Sequence, residues 1–124
     1  MSDMAAYVGD SLLNWIKGAA MVTAPSAVYV ALYNGDPDAS GTEVTGTVGL
    51  TRQEASFGAV AARAMSTDAE IDFGTASGAA TVTHVVLFDA ASAGNQLGKK
   101  SITSANVTSG EKVSIASGAL GLSY

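Results

Sequence analysis

Thr81-Val82-Thr83-His84-Val85-Val86-Leu87-Phe88 is the stretch on which the fold turns. β-Branched and aromatic side chains dominate it, and these fit a pleated surface. Its last four residues are apolar on both faces, the pattern of a central strand covered from both sides. Asp89 to Asn95 (DAASAGN) then supplies the small polar and glycine residues of a turn. Working outward, Val28, Val30 and Leu32 alternate with Tyr29, Ala31 and Tyr33, which predicts a second strand. Asn34-Gly35-Asp36-Pro37-Asp38 stops it abruptly. Weaker patterns predict strands over 50–57, 69–73 and 96–102, and a clearer one over 112–115 after the Ser109-Gly110-Glu111 turn. Leu120, Leu122 and Tyr124 alternate at the end, 59–64 reads as strand or short helix, and 41–49 as a long loop or irregular edge. Short strands recurring about every 8–12 residues, joined by Gly-rich turns, predict a mainly β fold. The expected architecture is an antiparallel β-sandwich or jelly roll in a single domain over 1–124.

The first twenty residues follow a different period. Met4, Val8, Leu12, Trp15, Ile16 and Ala19 recur at three- and four-residue steps, which predicts one N-terminal helix over 3–19. Ser2 or Asp3 would cap its start, and Lys17 followed by Gly18 would end it. Two seats are open to such a helix: the domain's own core, or a neighbouring subunit on which it docks as an arm. Trp15, with Leu12, would anchor it in either.

Composition narrows the function. Hydrophobic residues make up 48% of the 124, so the chain has enough apolar surface to fold, whereas charged residues make up only 14%. So little charge predicts a surface that packs against other copies or other proteins, a homotrimer being the expected state. Eleven acidic residues against six basic ones give a net charge of −5, the wrong sign for tracking nucleic-acid phosphates. Apolar runs are too short to span a bilayer, so no membrane partner is expected. Met1-Ser2-Asp3 opens without the basic and apolar regions of a signal peptide, which leads us to expect synthesis in a cytoplasm.

Candidate chemistry is sparse. His84 is the sole histidine and there is no cysteine, so neither a zinc site nor a histidine-activated thiol is expected. His84 should share a strand face with Val82, Val86 and Phe88 as a core histidine. Asp36-Pro37-Asp38-Ala39-Ser40-Gly41 matches the opening of a calcium loop, but Thr47 stands where the bidentate Glu is needed, so the expectation is a solvated turn. Glu70 and Asp72 point to one sheet face at a spacing that suits a glycosidase pair, and Glu54 is a further isolated carboxylate. Small aliphatic neighbours and an aromatic content of 6% favour a solvated face instead. No phosphate-cradling glycine loop is present. We therefore expect no catalytic, cofactor-binding or metal residue, and no enzyme.

Several blocks taken together carry a resemblance. They are Leu12-Leu13-Asn14-Trp15-Ile16, Ala27 to Tyr33 (AVYVALY), Gly35-Asp36-Pro37, Thr51-Arg52-Gln53, Thr81 to Ala90 (TVTHVVLFDA) with Gly94-Asn95, and Val107 to Ile115 (VTSGEKVSI) with Gly118-Ala119-Leu120. In this order the chain resembles a family of small tailed-bacteriophage virion proteins, variously labelled tail-fibre or head-decoration proteins. The resemblance implies a virion structural protein without catalysis. Its first implied role is a capsid decoration or cement protein that stabilises the major-capsid lattice. The alternative is a tail, neck or fibre-base component involved in host attachment.

Overall fold

A computed structural model describes residues 3–124. One helix, α1 (Ala6–Ile16), precedes nine strands: β1 (Val28–Asn34), β2 (Thr42–Glu43), β3 (Gln53–Ala55), β4 (Ala64–Ser66), β5 (Ile71–Thr75), β6 (Ala80–Phe88), β7 (Gln96–Val107), β8 (Lys112–Ile115) and β9 (Gly121–Ser123). All pairings of named strands are antiparallel. The main sheet runs β2-β1-β6-β7, with β3 pairing the same edge of β1 further along. Two ribbons, β4–β9 and β5–β8, complete the structure.

As its apolar run predicts, β6 is the central strand, with β1 on one side and β7 on the other. Val85, Val86, Leu87 and Phe88 are all buried. Alternation sends them to two cores. Val85 and Leu87 join Val30, Leu32, Ile71, Phe73, Val107 and Leu120 in the larger cluster, against which Val113, Ile115 and Leu122 of the ribbons also pack. The ribbons thus close over one face of the sheet, which is the β-sandwich arrangement. Val86 and Phe88 join Ala31 and Tyr33 on the opposite face.

The expected grouping of Val82 with His84, Val86 and Phe88 is corrected here: His84, opposite Tyr33, keeps the face of Val86 and Phe88, and Val82 leaves it. Pairing of β6 with β7 shifts between Val82 and His84, so Val82 packs with Val85 and Leu87 in the larger core. A bulge of this kind breaks strict alternation. His84 is only half-buried.

Two further differences concern the weakest patterns. β7 continues beyond 102 to Val107, because Ala105, Asn106 and Val107 pair with Val82, Thr81 and Ala80 of β6, which carries the strand through the polar Thr103 and Ser104. The stretch 41–49 contains β2 and a tight turn, and it buries Val44, Thr45 and Val48. Thr45 accounts for its burial: its Oγ1 accepts the Leu32 amide at 2.9 Å.

The helix is shorter than the 3–19 expected. Its N-cap is Ala5, without a side-chain cap. Ser2 lies outside the described residues. Asp3 staples chain segments together instead. Its carboxylate accepts the Ser123 amide at 2.8 Å and the Lys100 ammonium at 3.3 Å, and its carbonyl accepts the Lys99 amide. The C-terminus ends as expected. Gly18 has φ +98, its amide donates to the Trp15 carbonyl, and the Ala19 amide donates to that of Asn14. That is the Schellman arrangement, and a Cβ at Gly18 would be strained by the backbone there.

Candidate functional site

Each candidate group from the sequence has a defined place. In the Asp36–Gly41 loop the ammonium of Lys99 occupies the position a cation would take, 2.7 Å from Asp36 Oδ1 and 2.8 Å from Asp38 Oδ2. Gln96 Nε2 donates to the other Asp38 oxygen at 3.3 Å. The loop is tight because Gly35 and Gly41 touch: a side chain on Gly41 would run into the Gly35 carbonyl. Thr83 Oγ1 accepts the Gly35 amide at 2.7 Å and lies 2.9 Å from His84 Nδ1, so this pair fastens the loop to β6. Asp72 caps the Gly74 amide and sits 3.6 Å from Lys112, while Glu54 and Glu70 are exposed. Among the described residues no group of three or more His, Cys, Asp or Glu is placed to hold a metal. No helix among them is long and apolar enough to cross a membrane.

Arg52 is a residue whose structural role the sequence did not reveal. Its side chain is 8% exposed. It makes a two-pronged ion pair with Glu43, with Nη2 and Nε donating at 2.8 and 3.0 Å. Nη1 donates to the carbonyls of Ala90 (3.1 Å) and Ala93 (2.8 Å), and the guanidinium lies 3.8 Å from the Phe88 ring centroid. Tyr33 stacks on the same ring. One planar cation thereby ties β2, the end of β6 and the 89–95 loop together, and only Arg has the donor fork to do this. Asp89 closes that loop from within by accepting the Asn95 amide at 2.7 Å.

These contacts set the pH response. The Arg52 fork holds Glu43 below its ordinary value, despite the opposing effect of burial. Lys99 lowers Asp36, Asn95 lowers Asp89 and Thr108 lowers Glu111. A carboxyl with a depressed folded pKa stabilises the fold fully above its unfolded value, and that contribution is lost as pH falls through the folded one. Asp36 and Asp38 raise Lys99, so its contribution persists until pH rises past the ordinary 10.5. The melting temperature should therefore hold through neutral pH and fall once the pH drops below the ordinary carboxyl range of 3.8–4.5. Thermal melts across pH check this. A melting temperature that rises on acidification would contradict it.

Among the described residues two apolar surfaces are open to solvent. From Leu13 to Ser26 every residue is exposed, including Leu13 (64%), Trp15 (59%), Ile16 (66%), Met21 and Val22. The expected apolar stripe is real, but it runs off the body: Val8 and Leu12 are half-buried and Trp15 is not. Residues 19–22 fold back along the helix, with the Val22 amide donating to Ser11 Oγ at 2.9 Å, which helps to bury Ser11. We call residues 13–26 the arm. The second surface is a groove of about 440 Å³, walled mainly by Val28, Phe57, Val60, Met65, Leu97 and Leu122. Arg63 stands among its lining residues on a two-residue hairpin in which Ala61 and Ala64 exchange both backbone hydrogen bonds at 2.9 Å. Ala62 (φ +50) and Arg63 (φ +62) occupy the left-handed region at its tip. Such a turn favours Asn-Gly, so Ala-Arg holds strain at the groove rim.

The family described as podophage GP4 fiber I protein gp80 matches residues 3–123, and the chain belongs to that family. It is accordingly a phage virion structural protein of a family labelled fibre. No curated protein matches the chain.

Proposed function

We propose that this chain is a non-catalytic part of a podophage tail, a fibre or fibre-base component assembled as a homotrimer and made in the host cytoplasm. The observation that carries this reading is the match over residues 3–123 to a family described as a fibre protein. The exposed arm supports self-association, because contiguous exposed apolar surface marks interaction sites. A contact between two different surfaces forms a ring where its rotation closes, and a ring of three is the state proposed here. The whole chain over 1–124 acts as one β domain in this reading, with α1 as its docking element.

Capsid decoration is the rival assignment, in which the same small domain binds the major capsid protein. Copy number per particle separates the two. Quantitative mass spectrometry of purified virions should give a small multiple of the tail's symmetry. A count approaching that of the major capsid protein would overturn the tail assignment in favour of decoration.

A further inference from the structure

An asparagine followed by glycine readily loses its side-chain amide, because glycine does not crowd the backbone nitrogen that attacks it. Asparagine stands at positions 14, 34, 95 and 106, and only Asn34 precedes a glycine. The fold requires that glycine: Gly35 has φ +94, and a Cβ there would press on Gly41. Asn34 is exposed at the last position of β1, where its partner strand β2 is two residues long. Its side chain makes no hydrogen bond among the described residues and is free to turn toward the following nitrogen. We propose that Asn34 is a self-modification site, in which the Gly35 nitrogen closes on the Asn34 side chain while Thr83 and His84 draw off its proton.

The Gly35 amide donates to Thr83 Oγ1 at 2.7 Å, and that oxygen lies 2.9 Å from His84 Nδ1. Among the described residues Nδ1 is the one acceptor for the hydroxyl hydrogen, which places the ring proton on Nε2. A line of donors therefore runs from the backbone nitrogen through the hydroxyl to an unprotonated imidazole nitrogen, the arrangement by which a base activates a weak nucleophile. The Gly35 proton passes to Thr83 Oγ1 and the Thr83 proton to His84 Nδ1. The Gly35 nitrogen bonds to Asn34 Cγ, the Cγ–Nδ2 bond breaks, and the side-chain nitrogen leaves as ammonia with the proton that His84 returns. The cyclic imide then takes up one water and opens to aspartate or isoaspartate at position 34. Tyr33 on β1 and Ser101 on β7 stand opposite His84, and the Asp36 carboxylate of the loop acts on it through space. Asp36 favours the imidazolium formed in the step, and Lys99, bound to that carboxylate, is the opposing charge. Either product adds a carboxylate beside Asp36 and Asp38, which already share Lys99. Isoaspartate also lengthens the backbone at the root of the loop.

Trypsin releases residues 18–52 as one peptide in which Asn34 is the sole asparagine or glutamine, so mass spectrometry reads the conversion there directly. The full-length protein is incubated folded and in guanidinium chloride. Conversion at Asn34 should be faster in the folded protein. Thr83→Val should slow the folded reaction about a hundredfold, the usual weight of a positioned base, and Thr83→Ser should restore it. His84→Gln should slow it similarly. The wild-type rate should level off above about pH 8, where imidazoles have lost their proton, whereas an unassisted reaction keeps rising in proportion to hydroxide. A folded rate at or below the unfolded one would overturn the proposal, and this comparison needs no variant to fold. A rate that Thr83→Val raises would also overturn it, because the hydrogen bond would then guard Asn34 against the reaction.

Discussion

Replacing Phe73 by Ala is expected to destabilise the protein by about 3–5 kcal/mol, the usual range for removing a buried Phe. Phe73 is 5% exposed on β5, in the ribbon that covers the main sheet, and it packs in the cluster containing Val30, Leu32, Val85 and Leu87. The substitution removes the transfer free energy of the ring and leaves a cavity between the layers. At this chain length the melting temperature should fall by more than about 10 °C. Urea unfolding checks the same figure through its midpoint. A loss below about 1 kcal/mol would mean that the β5–β8 ribbon does not close the core, and the sandwich would be wrong where it matters most.

Arg52→Ala should have the next largest effect, about 2–4 kcal/mol. Breaking a buried pair costs about 3–5 kcal/mol because one charge is left without a partner. Glu43 keeps 29% of its side chain in water, so part of that penalty is relieved by hydration. The Ala90 and Ala93 carbonyls also lose their donor, and Phe88 loses its cover. Arg52→Lys should recover little, since an ammonium cannot serve the carboxylate and both carbonyls from one plane. The loss should shrink at low pH, where Glu43 is protonated and the wild-type pair is already broken. Chemical unfolding at neutral and acidic pH measures both effects, and a pH-independent loss would assign the role of Arg52 to packing alone.

The sequence was most legible where many weak preferences agreed. Val85 to Phe88 had to be central because nothing in them tolerates water, and Gly18 had to end the helix because the backbone there suits glycine. Legibility failed where long-range pairing overrides local character. Residues 103–106 gave no strand signal, yet pairing of Ala105 and Asn106 with β6 carries β7 through them. Counting in twos puts Val82 on the face of His84, Val86 and Phe88, and the irregularity between Val82 and His84 breaks that count, so that Val82 alone turns to the larger core. Asp3 looked like a helix cap, but its partners, Ser123 and Lys100, are remote in sequence. The Asp36–Asp38 loop did hold a cation-like pattern. The cation it meets is Lys99, more than sixty residues away, which no local motif reveals. The helical stripe is apolar as its spacing predicts, while its exposure follows from where the body ends, and periodicity carries no such information.

The central claim is a structural place in the phage tail, and labelling intact virions tests it most directly. Antibody raised against this protein, carried on gold and viewed by electron microscopy, should decorate the tail end of the particle at a single vertex. Label spread evenly over the head, or virions that carry none of the protein, would contradict the account.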